Sequence, residues 1–141
     1  MSRTWPDVPG SYRPTPDEPF MNPVMAAYFR RKLERWRGRL LGDAEETLHT
    51  MQEDSLAEAD MADRATLESD RSRELRARDR QRKLIAKIDA AMQRIDEGTY
   101  GFCEETAEPI GVDRLDARPI ATLSIEAQER HERRERTQRA D

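Results

Sequence analysis

The chain has 141 residues, and its 25 basic and 29 acidic side chains leave a formal net charge of −4 at pH 7. Leu, Ile, Val and Phe together make up only about one residue in six, which disfavours a compact enzyme with a deep apolar pocket. Ala, Glu, Lys, Leu and Arg make up nearly half, a composition typical of long helices and coiled coils. No apolar run approaches the roughly 18 residues of a membrane-spanning helix, so we expect no membrane partner.

Proline separates an N-terminal arm from the rest of the chain. Six of the eight prolines lie within residues 1–23, and none lies within residues 24–108. We therefore expect residues 1–21 to form an extended, poorly ordered arm. The N-terminus shows no secretory signal, and the single cysteine has no disulfide partner in the chain, so we expect a cytoplasmic protein.

Two long helices are predicted between residues 22 and 97. Asn22-Pro23 is typical of a helix start, and apolar residues then recur at steps of three and four. The same spacing defines a second helix that ends near Gly98, a candidate C-cap. The short link predicts an antiparallel coiled-coil hairpin with its tip near residues 57–65. Because the large apolar residues are concentrated away from this tip, we expect the hairpin to project from a small globular base.

The remainder of the chain has a different composition. Residues 98–122 contain three glycines and two prolines among short apolar pieces, which predicts a loop-rich globular module. Ser124 is a candidate N-cap for a polar C-terminal helix within residues 123–141.

Charged residues of one sign are grouped along the predicted hairpin. Residues 43–63 contain eight acids and no Lys or Arg, whereas residues 71–83 contain seven bases and two acids. At the predicted turn, Asp60 and Asp63 are either helix caps or carboxylates that meet a cation or a basic surface. Their spacing does not separate these interpretations.

Lys83 and Lys87 are two of only three lysines in a chain with 22 arginines. They lie four residues apart and therefore on one helical face. This pair is either an ordinary solvated face or a site for an anion such as a phosphate.

Four positions have the spacing of zinc ligands but not the chemistry. Cys103 and Thr106 form one such pair, and Ser124 and Ala127 form the other, yet only one of the four is a cysteine. On chemistry alone we expect no metal site. Cys103 is either a buried small hydrophobic residue or a reactive redox thiol.

Neither catalysis nor direct DNA binding is indicated. The chain has no phosphate-binding glycine loop and no nucleophile with an evident base, so we expect no enzyme. Its pI of about 5.4 is far from the strongly basic value typical of nucleic-acid-binding domains.

Five ordered motifs are specific enough to compare with known families: YFRRKLERW (28–36), DMADRA (60–65), RARDRQRKLIAKI (76–88), YGFCEE (100–105) and EPIGVDRLDARP (108–119). Together they resemble the DksA family of bacterial RNA polymerase-binding transcription factors. The resemblance covers about residues 21–131.

The resemblance implies a coiled-coil finger on a globular base that enters the secondary channel of RNA polymerase without binding DNA. It also implies that the factor destabilises open complexes at stable-RNA promoters, activates some other promoters and acts with ppGpp in the stringent response. By matching position, Asp60, Asp63 and Ala65 act at the tip near the polymerase active site, and Arg80 contacts polymerase. The positions implied to line the ppGpp site at the polymerase interface are Lys83, Leu84, Lys87 and Arg118.

Two departures from the family pattern matter. Thr106, Ser124 and Ala127 occupy three of the four zinc-cysteine positions, so the chain resembles the zinc-independent type of DksA protein. We therefore expect no zinc, no stably bound cofactor and a base held by packing, with Phe102, Ile110, Leu115 and Ile125 as candidate core residues. Gln128 replaces a lysine that assists ppGpp binding in the family, which predicts weaker synergy with ppGpp.

Two alternatives belong to other functional classes. One is a Gre-type elongation factor, whose tip acids hold a metal and promote transcript cleavage by polymerase. The other is a generic coiled-coil adaptor. We expect the chain to be a monomer.

Overall fold

The computed structural model describes residues 4–57 and 64–140. Four helices follow one another along the chain: α1 (Pro23–Ala57), α2 (Arg64–Glu97), α3 (Val112–Ala117) and α4 (Ile125–Ala140). The described residues contain no strand, only an isolated antiparallel bridge between Phe102 and Pro109. The expected mainly helical class, with two long helices and a C-terminal helix, is confirmed. No helix in the described ranges combines the length and apolarity needed to cross a membrane.

The chain divides into two compact units. The first unit comprises Met1–Leu33 together with Ala90–Asp141, and the second unit comprises Glu34–Asp89. Helices α1 and α2 each contribute residues to both units, whereas α3 and α4 lie wholly in the first.

Local hydrogen bonds explain where the long helices begin and end. At the start of α1, the backbone N–H of Met25 donates to Asn22 Oδ1 at 3.1 Å, the N-cap interaction that the sequence predicts. After α2, Gly98 adopts a positive φ of 82°, and the N–H of Thr99 returns to the carbonyl of Arg94 at 2.9 Å. Glycine suits this position because it has no Cβ to oppose a left-handed backbone.

The core of the first unit is built around aromatic and aliphatic side chains from α1, α2 and the segment that follows them. The rings of Phe29 and Tyr100 are 5.7 Å apart, and the hydroxyl of Tyr100 donates to the carbonyl of Pro119 at 2.7 Å. The largest side chains that are essentially inaccessible to solvent in this unit are those of Met25, Phe29, Leu33, Ile95, Tyr100 and Leu115.

The prediction that four residues form the core of the module is wrong for two of them. Ile110 and Leu115 are buried, but Phe102 is 39% exposed and Ile125 is 51% exposed. The Phe102 ring packs edge-to-face on Phe20, at a centroid distance of 5.4 Å, near the surface. Ile125 is the first residue of α4. Because Ala127, two positions later, is fully buried, Ile125 lies on the opposite, solvent-facing side of the helix.

The N-terminal arm packs against α1 within the first unit, which its proline content did not predict. The guanidinium of Arg31 donates to the carbonyl of Val8 at 3.3 Å, and the Arg30 guanidinium lies 5.8 Å from the centre of the Trp5 ring. The rings of Tyr12 and Tyr28 meet edge-to-face at 5.8 Å. In the segment that leads into α1, the Tyr12 hydroxyl and the side-chain amide of Asn22 both donate to the carboxylate of Glu18.

In the second unit, α1 and α2 form an antiparallel pair. Arg37, in the first half of α1, donates to the carboxylate of Asp89, in the second half of α2, at 2.7 Å. Ile88 is fully buried in this unit. The half-buried residues then recur at helical spacing, and those on α1 are Trp36, Arg37, Leu40, Ala44 and Thr47.

Candidate functional site

The predicted tip lies mostly outside the described residues. Asp60 and Asp63 belong to residues 58–63, so their predicted role has no structural counterpart here. Ala65 lies in α2, but its side chain is likewise outside the described part of the chain.

Three basic residues of the predicted polymerase and ppGpp contacts lie on α2 in the second unit. Arg80, Lys83 and Lys87 are all exposed, and Leu84 beside them is half-buried. Lys83 Nζ lies 3.1 Å from a carboxylate oxygen of Asp79, one turn earlier on the same helix. Both side chains of this ion pair are more than half exposed, so the pair adds little stability and leaves the face open to an anion.

Arg118, the fourth predicted ppGpp residue, lies in the first unit at the end of α3. Its side chain is exposed, while its backbone N–H donates to the carbonyl of Arg114 at 2.8 Å. The next residue, Pro119, is buried and accepts the hydroxyl of Tyr100. Burial raises the pKa of Tyr100, so this phenol stays protonated and able to donate at neutral pH. The backbone that carries Arg118 is therefore fixed on both sides.

The structure brings together the four positions that have zinc-ligand spacing. Cys103 is buried at the start of a tight loop, where its N–H donates to the carbonyl of Glu108 at 2.8 Å. Ser124 is also buried, and its Oγ accepts the N–H of Ala127 at 3.2 Å, which caps α4. Ala127 is fully buried, whereas Thr106 is exposed at the rim.

The sulfur of Cys103 is the acceptor at the centre of this cluster. Burial raises the pKa of the Cys103 thiol, but hydrogen bonds from the Thr106 hydroxyl and from the backbone N–H groups of Ser124, Thr106 and Glu105 outweigh it. The net effect lowers the pKa to about 6. The cluster therefore favours a thiolate through hydrogen bonds alone.

These residues do not fit a zinc ion. Zinc sites in proteins use thiolate, imidazole or carboxylate ligands, and the cluster offers one thiol, two hydroxyls and a methyl group. The Ser124 hydroxyl oxygen already accepts the N–H of Ala127. The side chain of Ala127 is a buried methyl group, which cannot bind a metal ion. Among residues 4–57 and 64–140, no group of three His, Cys, Asp or Glu side chains could hold a metal ion.

A second polar cluster, which the sequence did not single out, joins α1 to α3. Asp116 accepts the hydroxyl of Tyr28 and the ammonium group of Lys32, both at 2.7 Å. Burial raises the pKa of Asp116, but the hydrogen bonds from Lys32 and Tyr28 outweigh it and hold the pKa below its ordinary value. Asp116 follows Tyr28 by 88 residues and Lys32 by 84 residues, so no local sequence pattern identifies this cluster.

Charged side chains of α4 form ion pairs with the loop that follows Cys103. Glu105, in the loop after Cys103, lies 3.3 Å from the guanidinium of Arg134 and 3.9 Å from that of Arg130. Gln128, on the same helix, is half-buried and donates to Glu132 at 3.2 Å.

A long helical hairpin and a compact module with two residue pairs at zinc-ligand spacing place the chain in a class of helical proteins with a zinc-finger-like module. Family models agree. "DnaK suppressor protein DksA, N-terminal domain" matches residues 25–95, and "Prokaryotic dksA/traR C4-type zinc finger" matches residues 98–133.

Individual relatives match nearly the whole chain. The chain is 58% identical to the "RNA polymerase-binding transcription factor DksA" of Caulobacter vibrioides over 92% of each sequence. It is 41% identical to the factor of the same name from Escherichia coli K12, covering 89% of this chain and 83% of that one. The solved structure of "transcription factor DksA2 from Pseudomonas aeruginosa" is similar with a TM-score of 0.81 and 44% identity, over 86% of this chain and 93% of that one. The chain belongs to the DksA family.

Proposed function

We propose that this chain is a transcription factor that binds RNA polymerase through the secondary channel and changes the stability of open complexes. Relatives that are 58% and 41% identical are named RNA polymerase-binding transcription factors, which supports the polymerase as partner. The factor lowers initiation at stable-RNA promoters, raises it at some others and has no catalytic activity of its own.

The observation that carries this proposal is the exposed basic face of α2. This face, in the second unit, carries the exposed side chains of Arg80, Lys83 and Lys87. It contains two of the three lysines of the chain. The ion pair of Lys83 with Asp79 is exposed and contributes little to the stability of the hairpin. A face of this kind suits an acidic protein surface or a phosphate group.

The tip residues Asp60, Asp63 and Ala65 act on the polymerase near its active site. A 34-residue helix such as α2 extends over about 50 Å, which is long enough to carry a tip deep into a channel. The tip acids shift polymerase between states of different open-complex stability, and they do so only by their differential affinity for those states.

Lys83, Leu84, Lys87 and Arg118 bind ppGpp together with polymerase. Ammonium and guanidinium groups are the side chains that hold phosphate through charge-assisted hydrogen bonds. The Lys83 and Lys87 pair is thereby proposed as an anion site rather than a solvated face.

The same proposal covers the remaining properties. The factor works without zinc, because the residues around Cys103 hold the loop with hydrogen bonds and only one of the four positions offers a zinc ligand. It acts as a cytoplasmic monomer and makes no direct contact with DNA, as its net charge of −4 favours.

Purified transcription from a stable-RNA promoter tests this function. We expect wild-type protein to inhibit, ppGpp to strengthen inhibition, and Asp60→Asn/Asp63→Asn to lose inhibition while still binding polymerase. Loss of polymerase binding in this variant would move the two acids from the acting tip to docking. Transcript cleavage in a stalled complex would instead establish the Gre-type alternative, and absence of polymerase binding by the wild type would leave the adaptor.

A further inference from the structure

The last turn of α3 receives a hydrogen-bond donor from α1. Helix α3 has only six residues, and helices shorter than about 12 residues are marginal in water, so α3 depends on contacts with the rest of its unit. The carbonyl groups of a last helical turn lack partners within the helix and carry partial negative charge. Lys32 Nζ donates to one of them, the backbone carbonyl of Asp116, as well as to the Asp116 carboxylate. The ammonium group therefore caps the C-terminal end of α3 from outside the helix.

The surrounding groups hold Lys32 in this position. Tyr28, one turn earlier on α1, donates to the same carboxylate oxygen of Asp116 at 2.7 Å, and the Lys32 ammonium lies 5.9 Å from the centre of the Tyr28 ring. The lowered pKa of Asp116 keeps its carboxylate charged and able to accept both donors at neutral pH. Because the side chains of Lys32 and Asp116 are both partly exposed, their ion pair adds little to global stability. Its main effect is local, since it fixes where the end of α3 lies.

Arg118 follows directly on the turn that Lys32 caps. It lies two residues after Asp116, its N–H donates to the carbonyl of Arg114 at 2.8 Å, and its own carbonyl accepts the N–H of Ala121 at 3.0 Å. The Arg118 side chain is exposed and available to a ligand. An arginine on a fixed backbone loses less conformational freedom when it binds a phosphate than one on a mobile backbone. The position of the capped turn therefore bears on how well Arg118 binds an anion.

We propose that Lys32, through Asp116, is a positioning residue that holds Arg118 in place to bind ppGpp. This proposal rests on the proposed function and adds a residue that the family resemblance does not supply. Lys32 acts without contacting the phosphate groups. When the cap is lost, the end of α3 populates other arrangements, and the apparent affinity for ppGpp falls with the fraction of chains in which Arg118 is in place.

Promoter transcription over a range of ppGpp concentrations tests the proposal with two matched variants. Lys32→Met removes the donor and keeps an unbranched side chain of similar helix propensity. We expect it to raise the ppGpp concentration for half-maximal effect by about three- to tenfold. Polymerase affinity and inhibition without ppGpp should stay at the wild-type level, a separation that a general loss of structure would not produce. Arg30→Met is the control, because Arg30 lies on the same helix and forms a partly exposed ion pair with Asp96 of α2, at 3.4 Å, rather than with α3.

A double variant separates positioning from direct contact. Asp116→Ala should also raise the ppGpp concentration needed, because its carboxylate holds the ammonium group in place. Lys32→Met/Asp116→Ala should need no more ppGpp than Lys32→Met alone, since the two residues act in one chain of contacts. If the two single effects multiply in the double variant, or Asp116→Ala has no effect, Lys32 does not act through Asp116 and the positioning role fails.

The other outcomes overturn the proposal in distinguishable ways. A wild-type response to ppGpp in Lys32→Met would show that the cap is not needed. An equal rise in Arg30→Met would trace the effect to general destabilisation of the first unit. Wild-type protein that binds polymerase but does not respond to ppGpp would overturn the proposed ppGpp site itself, and the positioning role with it.

Discussion

The hydroxyl of Thr106 donates a hydrogen bond to the sulfur of Cys103, and both residues stand at positions with zinc-ligand spacing. Backbone N–H groups of Glu105, Thr106 and Ser124 also donate hydrogen bonds to this sulfur. The loop thus surrounds the sulfur of one cysteine with hydrogen-bond donors from the chain itself. Because the N–H of Glu108 also donates to Thr106 Oγ1 at 3.3 Å, the threonine hydroxyl connects the two ends of the loop.

The four positions with zinc-ligand spacing predict the zinc content of the wild-type chain and of a triple variant. Wild-type protein purified without chelator should contain no stoichiometric zinc by elemental analysis, because only one of the four positions offers a zinc ligand. The triple variant Thr106→Cys/Ser124→Cys/Ala127→Cys should contain about one zinc per chain, since tetrahedral Cys₄ sites bind zinc tightly. The single variant Thr106→Cys, with two thiols, is the control. Wild-type protein with one zinc per chain, or a triple variant with none, would contradict this prediction.

The Cys103 thiol predicts a dependence of stability on pH. Its pKa is lowered from 9.0 to about 6 in the folded chain, so the unfolded chain binds more protons between these values. The contribution of this group to the free energy of unfolding is therefore complete above pH 9 and is lost as the pH falls to about 6. Thr106→Val removes one donor and should reduce the rise in stability between pH 6 and 9, measured by urea unfolding. Cys103→Ala is the reference without the thiol, and a Thr106→Val profile identical to that of wild type would refute the role of the hydroxyl.

The aromatic core predicts unequal losses for two phenylalanines. Phe29→Ala should lower the free energy of unfolding by about 3–5 kcal/mol, because Phe29 is fully buried against Tyr100. Phe102→Ala should cost no more than about 1 kcal/mol, because its ring is partly exposed and packs on Phe20 near the surface. Urea unfolding of both variants measures the difference. Equal losses would place Phe102 in the core after all.

Those two phenylalanines also illustrate what the sequence predicts well and what it does not. Phe29 lies in a periodic helix, where spacing alone assigns it to the buried face. Phe102 follows Gly101, whose φ of 92° and lack of a Cβ allow Met21 to approach. A Cβ at Gly101 would lie 2.8 Å from the Met21 side chain, so the path of this loop depends on a contact 80 residues away in sequence. Composition cannot supply a contact of that kind.

The candidate site divides in the same way. Helical spacing places Arg80, Lys83 and Lys87 on an exposed face without any tertiary information. The donors to Cys103 come from two separate loops, so its lowered pKa follows only from the folded chain.

Asp116 predicts a loss of stability that depends on pH. Asp116→Ala should lower the free energy of unfolding by about 1 kcal/mol at pH 7, because it removes the acceptor of Tyr28 and Lys32 in a partly exposed setting. The carboxyl pKa is lowered in the folded chain, so its stabilisation is present above the ordinary value of 3.8 and is lost as the pH falls through the folded pKa. Urea unfolding at pH 7 and at about pH 2 should therefore show a smaller difference between variant and wild type at the acid pH. A difference that grows in acid would contradict this account.

Gln128 predicts how strongly ppGpp acts on transcription. Gln128→Lys should lower the ppGpp concentration needed for inhibition, because the family resemblance implies a lysine that assists ppGpp binding at this position and the substitution supplies that cation. The substitution should leave the fold intact, since Gln128 pairs with Glu132 four residues later and a lysine makes the same pairing.

Gln93→Lys is the matched control for this prediction, because Gln93 donates to Glu97 four residues later at 2.9 Å in an exposed part of α2. Promoter transcription over a range of ppGpp concentrations measures both variants against wild type. An unchanged ppGpp requirement in Gln128→Lys would show that the glutamine does not weaken synergy. An equal gain in Gln93→Lys would trace the effect to added positive charge anywhere on the chain, because only a specific phosphate contact depends on where the cation stands.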